Sequence, residues 1–418
     1  MVVYVLDVNG NPMMPTSRFG KVRRLLKDKK AKVIRRNPFT IKLLYKTETH
    51  VVQSCVLGID TGSAHVGTAV YSKGKILYIS QVNIRNDIKS KMDDRRGYRR
   101  GRRFRHTRYR KPRFLNRKNS IHKDRFSPTM ISKFNSHIRE IEFIKSILPI
   151  SQLVLETGTF DTHLLKNPSL ANPKIRHWGY QKGILYDYDN IKAYILTRDK
   201  YTCQCCKGKH KDSKLEVHHI VYRSQGGSNE ESNLITLCET CHKKLHKGEL
   251  RDFESKLHGT RKGTLKHATQ MNSIRIQLLK HYPDAIETFG YITKANRQAL
   301  SLSKDHYIDA CVIASCGKPF NIKSKTYYKR VVGNGTRILA KFRKVPIHLD
   351  RGKIRGFRRY DKVKYRGKEY FIYARSKTGN FCVTDIFGNK PDFGIKTLGS
   401  VNPKYLNKID SGGTVLYA

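Results

Sequence analysis

Between Cys203 and His246 the chain concentrates side chains that bind metals: CQCC at 203–206, VHHI at 217–220, Asn233, LCETCH at 237–242 and His246. Two Cys-x2-Cys knuckles, Cys203/Cys206 and Cys238/Cys241, supply four thiolates at the spacing of a closed tetrahedral zinc site. A site that only held zinc would have no use for His218, His219, Asn233 and His242. A plain zinc ribbon accounts for the cysteines and leaves this polar set unexplained. Cys205, inside the first knuckle, reads as a bystander thiol.

A second set is dispersed. Asp60 ends the apolar run VLGID, Glu156 closes another in QLVLET, and His306 and Asp309 fall in KDHYIDA. The last two are i and i+3, so a helix projects both from one face. Carboxylates at neighbouring strand ends, met by such a helix, suit two Mg²⁺ ions about 4 Å apart serving phosphodiester hydrolysis. DTGS is also the signature of aspartic proteases, and D-x-G-S opens the phosphate loop of sugar kinases. Neither alternative explains the cysteines or the charge.

That charge is large. Eighty-four Lys and Arg against 33 Asp and Glu leave +51 over 418 residues. Self-repulsion of this size opposes compaction unless a polyanion is part of the working state. Between Arg95 and Lys118, 13 of 24 residues are Lys or Arg, interleaved with Tyr98, Phe104, Tyr109 and Phe114. Arg95, Arg96, Arg99, Arg100, Arg102, Arg103, Arg105, Arg108 and Arg110 are the candidates for pairing with an RNA backbone, with aromatics able to stack. No 18-residue apolar run occurs, and the first residues lack a basic stretch and a cleavage site, which predicts neither membrane span nor secretion. Nine cysteines, four of them in knuckles, fit a reducing compartment better than a disulfide framework.

The elements that must position these groups are partly readable. Residues 1–50 predict a short α/β unit with a turn at Asn9–Pro12 that carries Pro12-Met13-Met14-Pro15. Residues 55–85 predict hairpin-linked strands. A helix is expected over Ser127–Leu148, with Ile131, Phe134, Ile138, Ile141 and Ile144 on one stripe. A strand follows at 152–157, then helices near 270–281 and 305–315. From about 325 the chain reads as strands with turn signals, which predicts a small barrel or sandwich.

The 203–246 pattern matches an HNH nuclease cassette, where zinc pins a ββα fold and a separate cation serves the chemistry. In its order of pieces the whole chain resembles the IscB nucleases, compact transposon-encoded RNA-guided DNA endonucleases related to type II CRISPR effectors. The resemblance implies an α/β multidomain protein with a split RNase H-like RuvC core, an inserted zinc-containing HNH domain, an arginine-rich bridge helix and a small β-rich C-terminal domain. The implied divisions are a PLMP-like domain (1–50), RuvC segment I (51–92), bridge helix (93–118), RuvC segment II (119–185), HNH (186–255), RuvC segment III (256–320) and a module reading a target-adjacent motif (321–418). Met stands at position 13, where the PLMP name expects Leu.

By that resemblance Asp60, Glu156, His306 and Asp309 would bind two Mg²⁺ ions. His219 would be the general base, with Asn233 supporting it. His218 and His242 would hold a single Mg²⁺, and His218 replaces the Asp that many relatives carry. A structural Zn²⁺ would sit on Cys203, Cys206, Cys238 and Cys241. The implied partners are a guide (omega) RNA and double-stranded target DNA, with no membrane, for a monomer in a ribonucleoprotein of the prokaryotic cytoplasm. A guide-independent HNH endonuclease of homing or restriction type is the alternative, and a non-catalytic RNA scaffold is a third class.

Overall fold

The computed structural model describes residues 2–47, 52–104, 126–225, 227–259, 265–322, 324–333, 353–394 and 397–418. The chain forms two compact units: Met1–Thr159 with Gln270–Ala418, and Phe160–Thr269. The second interrupts the sequence of the first.

The first unit opens with a four-stranded sheet made of β1 (Val3–Leu6), β2 (Pro12–Thr16), β3 (Ala31–Arg35) and β4 (Thr40–Leu43), in the order β2-β1-β4-β3. Helix α1 (Phe19–Lys27) buries Val22 against Val3, Ile41 and Leu43. The Pro12-Met13-Met14-Pro15 stretch, expected in the turn, is instead strand β2. It lies at the sheet edge, where a proline's missing N–H removes no central ladder bond.

Next come β5 (Val56–Asp60), β6 (His65–Ser72) and β7 (Lys75–Asn83), an antiparallel meander of three strands. Helix α2 (Ile88–Phe104) follows, so the arginine-rich helix begins five residues before the expected position 93. Arg95, Arg96, Arg99 and Arg100 are exposed along it. Arg102 and Arg103 lie within its span, whereas Arg105, Arg108 and Arg110 fall outside the described residues. Helix α3 (Pro128–Lys145) starts on Ser127, whose hydroxyl accepts from the Met130 N–H. Strand β8 (Gln152–Thr157) then lies parallel to β5.

The interrupting unit contains α4 (Thr162–Lys166), α5 (Pro173–Gln181) and α6 (Ile191–Arg198). They are followed by the antiparallel pair β9 (Leu215–His219) and β10 (Leu234–Cys238), then α7 (Glu239–His246) and α8 (Arg251–Gly259). Its small core joins Ile220, Ile235, Leu237 and Leu245 to the buried cysteines.

The first unit resumes with α9 (Lys266–His281), β11 (Ile286–Phe289), α10 (Gly290–Ala299) and α11 (His306–Ser315). Strand β11 pairs in parallel with β8, extending the large sheet. The strand period of two assigns its faces. Leu57, Ile59, Val66, Val70, Leu153 and Leu155 pack with Ile141 and Ile144 of α3 and Ile274 of α9. On the opposite face Ala69, Ile76 and Ile79 meet Ala310, Cys311 and Ala314 of α11. Two glycines permit this close approach: a Cβ at Gly58 would stand 2.3 Å from the Ala314 N, and one at Gly67 1.9 Å from the His306 O.

The C-terminal segment is divided. Strands β12 (Asn321–Ile322) and β13 (Thr326–Val331) pair in parallel with β7, so this part of the tail joins the large sheet. Strands β14 (Lys362–Tyr365), β15 (Lys368–Ala374), β16 (Phe381–Thr384), β17 (Ser400–Val401) and β18 (Asn407–Asp410) form a separate antiparallel sheet, ordered β17-β16-β15-β14-β18, around Val363, Ile372, Phe381 and Val383. The last strand, β19 (Val415–Tyr417), returns to β13. The expected small barrel or sandwich is thus a single five-stranded sheet, with flanking strands lent to the main one.

Beneath the sheet, on the α3 side, Lys329 of β13 is fully buried. Its ammonium lies 2.6 and 2.8 Å from the two carboxylate oxygens of Glu140. Ser80 and Tyr78 also donate to Glu140 Oε1, at 2.7 and 3.2 Å.

Candidate functional site

Both units carry candidate sites. In the interrupting unit the four thiols of Cys203, Cys206, Cys238 and Cys241 converge, with every ligand atom within 4.8 Å of the others. Cys206 Sγ and Cys238 Sγ are 3.7 Å apart. A tetrahedral zinc with Zn–S near 2.3 Å would set sulfur pairs about 3.8 Å apart, so the donor set fits that ion. Cys205 lies outside the cluster. The site staples the loop before β9 to the start of α7 and thereby fixes the ββα layout.

Beside it, His218 from β9 and His242 and His246 from α7 form a second group within the same 4.8 Å limit. His246, one turn after His242, had no role assigned from sequence. Its Nε2 lies 3.1 Å from that of His242. Burial, then the neighbouring His242, His246 and His219 rings, push the His218 imidazole down to about 4. Three imidazoles brought together in this way suit a divalent cation.

Glu216, also unassigned from sequence, sits two residues before His218 and so on the same strand face. Its Oε2 lies 2.6 Å from His242 Nδ1, which turns His242 Nε2 toward the cluster. His219 points elsewhere. Its Nε2 is 2.9 Å from Asn229 Oδ1 and 3.3 Å from Arg223 Nε, while Arg223 Nη2 donates to Asn229 Oδ1 at 3.1 Å.

Asn233 is fully buried. Its Oδ1 accepts from the Val221 N–H at 2.9 Å, and its Nδ2 donates to the carbonyls of Val221 and Ser228 at 3.1 and 2.8 Å. All these bonds brace the loop after β9. Asn233 thus ties down the segment that follows His219 in the chain.

In the other unit, Asp60 and Glu156 are direct partners across the parallel β5–β8 ladder, so both side chains leave the sheet on the face covered by α11. His306 Nδ1 is 2.6 Å from Asp60 Oδ2, and the His306 ring stacks on His65 with centroids 5.3 Å apart. Asp309 lies on the same helix face, with Arg297 Nε of α10 2.8 Å from its Oδ1. That N–H is misdirected for a hydrogen bond: Asp309 Oδ1 and Glu156 Oε2 are both buried carboxylate oxygens without a hydrogen-bond partner.

The electrostatics agree with that geometry. Burial, followed by repulsion from Asp60 and Asp309, lifts Glu156 to about 7 against the opposing Thr293 hydrogen bond. Burial also raises Asp309 despite Arg297. His306 is raised chiefly by its hydrogen bond to Asp60. Two orphaned buried oxygens among mutually repelling carboxylates fit divalent cations. Asp60, Glu156, His306 and Asp309 do not meet within the 4.8 Å of a one-ion cluster. A wider spread suits a pair of ions.

The HNH endonuclease family matches residues 203–248. The RRXRR protein family, which is arginine-rich and of Cas9/IscB type, matches residues 3–183, ahead of it in the chain. An RRXRR segment followed by an HNH endonuclease segment in one chain supports an IscB/Cas9-like HNH nuclease.

As an HNH nuclease it is a DNA endonuclease, a hydrolase of phosphodiester bonds. The chain is 36% identical over 66 residues to anaredoxin of Nostoc sp., spanning 16% of this chain and 84% of that protein. It is 38% identical over 63 residues to the type IV methyl-directed restriction enzyme EcoKMcrA of Escherichia coli, spanning 13% of this chain and 22% of the enzyme. A crystal structure of Streptococcus thermophilus Cas9 in complex with the AGAA PAM superposes over 60% of this chain and 32% of that one, with TM-score 0.34 and 11% identity. No helix among the described residues is long and apolar enough to cross a membrane.

Proposed function

We propose that this nuclease is an RNA-guided endonuclease of double-stranded DNA, in which the HNH unit cuts the guide-paired strand and the Asp60 centre cuts the displaced strand. The observation that carries the reading is the interruption. Asp60 and Glu156 precede the HNH unit in sequence, His306 and Asp309 follow it, and all four belong to one sheet-and-helix site. The meander β5–β7, with β8 and then β11 added in parallel, fits the expected RNase H-like core. A protein that cuts both strands of an opened duplex needs two such centres, and a guide RNA supplies the opened duplex.

In the HNH unit, His219 takes the proton from the attacking water, and Asn229 and Arg223 hold its ring in place. His218, His242 and His246 would hold the cation, with Glu216 orienting His242. In the other unit Asp60, Glu156, Asp309 and His306 would hold Mg²⁺. Bound divalent cations supply Lewis-acid stabilisation of charge on the phosphoryl and leaving oxygens. Arg297, packed on Asp309, balances part of the carboxylate charge.

The exposed Arg95, Arg96, Arg99 and Arg100 of α2 present a guanidinium row to a phosphate backbone. The five-stranded sheet of the tail is assigned to reading the short target-adjacent motif.

The match to a restriction enzyme favours a second reading, an HNH endonuclease that acts without a guide. One experiment separates the two: purify the protein, identify any discrete structured RNA that accompanies it, and assay cleavage before and after ribonuclease treatment. Loss of cleavage with the RNA, and its return when the RNA is restored, supports guidance. Undiminished cleavage supports the restriction-type reading.

A further inference from the structure

Helix α5 carries the chain's sole tryptophan, Trp178, and leaves it 53% exposed. Its orientation is built in. Leu170 is buried against the backbone of Gly179, where an added Cβ would stand 1.9 Å from Leu170 Cδ2. Tyr180 on the next position donates its hydroxyl to Asp161. With those contacts fixing the inner side of the helix, Trp178 is directed to solvent. Eight residues on, Tyr186 is 49% exposed. The Lys182 ammonium stands over both rings, 5.1 Å from the Trp178 centroid and 4.6 Å from that of Tyr186.

From Thr162 to Tyr186 there is no Asp or Glu; Lys166 pairs with Glu231 at 3.1 Å, while Lys174, Arg176 and Lys182 add positive charge to the stretch. An exposed indole costs free energy in water unless a partner covers it. Two aromatic faces bracketing one cation, in an acid-free stretch, match the repeat of a nucleic-acid single strand, where flat bases alternate with phosphates. A protein partner covering the same apolar side chains would need acidic groups to answer this charge. A duplex hides the base faces that the rings would stack on.

We propose that Trp178, Lys182 and Tyr186 form a single-strand binding platform in the interrupting unit. Bases stack on the two rings and a phosphate pairs with Lys182. None of these three residues belongs to either group of cleavage residues, and the proposal does not depend on how either group acts. The strand is DNA displaced from a duplex or an unpaired stretch of RNA, which share this chemistry.

The test uses the Asp60→Ala/His219→Ala protein, freed of nucleic acid, so that nothing is cut. Labelled oligo-dT, oligo-U and a duplex of equal length are titrated while anisotropy and tryptophan emission are read together. Because Trp178 is the sole tryptophan, its quenching reports this platform alone. The expected result is quenching that follows the anisotropy curve for single strands, weakens with salt, and is smaller for duplex. The preferred oligonucleotide tells which strand it is. Trp178→Ala should weaken single-strand binding by about tenfold or more, Lys182→Ala should weaken it less, and Trp178→Phe should largely retain it. Three outcomes overturn the proposal: binding with unmoved emission, Trp178→Ala binding like the parent protein, or emission that changes with protein concentration alone, which marks self-association. None of these bears on whether cleavage needs a guide.

Discussion

Asp60 and Glu156, 96 positions apart, face each other across two parallel strands, and His306 and Asp309 close over them from beyond the HNH unit. The pairing places two carboxylates on one sheet face. Repulsion between them is tolerable only with a counter-charge, so the site carries a cost when empty.

That cost is measurable. Glu156 is lifted from its ordinary value to about 7. Below its unfolded value both states hold the proton. As pH rises through 7 the folded state loses it into a buried, negative site, and the stability contributed by the protonated form is lost. Glu156→Gln should therefore unfold at higher temperature than the parent at pH 8 in chelator, by a free energy on the order of 1–3 kcal/mol, and match it at pH 4. It should also lose Asp60-dependent strand cleavage. In the parent protein the Mg²⁺ concentration for half-maximal cleavage of that strand should rise by about tenfold per pH unit below 7, since ion and proton compete. Thermal melts and strand-labelled cleavage across pH check both.

Glu216 and His246 govern the HNH unit. Glu216→Gln should raise the cation concentration needed for cleavage of the guide-paired strand by roughly 10–100-fold, the usual effect of removing a partner that orients a metal-bound histidine. His246→Ala should cost more. Neither should change cleavage of the other strand, which a gel with differently labelled strands reads directly.

The four cysteines hold the ββα layout. Cys238→Ser should abolish zinc binding and unfold the interrupting unit, not merely slow it. Zinc content and limited proteolysis within 160–269 report the loss. An active, zinc-free Cys238→Ser protein would contradict the assignment.

Lys329 and Glu140 form a buried pair whose halves depend on one another. Lys329→Met leaves the carboxylate with hydroxyl donors alone and should cost about 3–5 kcal/mol. Removing both charges in Lys329→Met/Glu140→Leu should recover much of that. A double variant no more stable than the single one would show that packing, not charge burial, sets the cost.

The zinc knuckles, His218 and His242 were legible in sequence because metal chemistry dictates residue type at short spacing. His246 carried the same signal, one helical turn beyond His242, and Glu216 lay two residues from His218 on a strand. Both needed the α7 and β9 assignments before their faces could be read. Strand β11 left no trace, being four residues long and paired with residues more than 130 positions away. With it went α10, which brings Thr293 and Arg297 to Glu156 and Asp309. Strands β13 and β19 fall in the tail read as strands from about 325, but their place in the main sheet was hidden for the same reason: their partners are distant, and local pattern shows that a segment is a strand but not which sheet it joins. The prolines of β2 read as a turn because only an edge position makes them acceptable in a sheet.

The central claim, two centres on two strands under RNA direction, is tested most directly by strand-labelled cleavage of a target duplex with the RNA-loaded protein, Asp60→Ala and His219→Ala. The account predicts double-strand breaks from the parent, a nick only in the guide-paired strand from Asp60→Ala, a nick only in the displaced strand from His219→Ala, and no cleavage by any of them once the RNA is removed. Double-strand breaks from either single variant, or full cleavage without RNA, would contradict it.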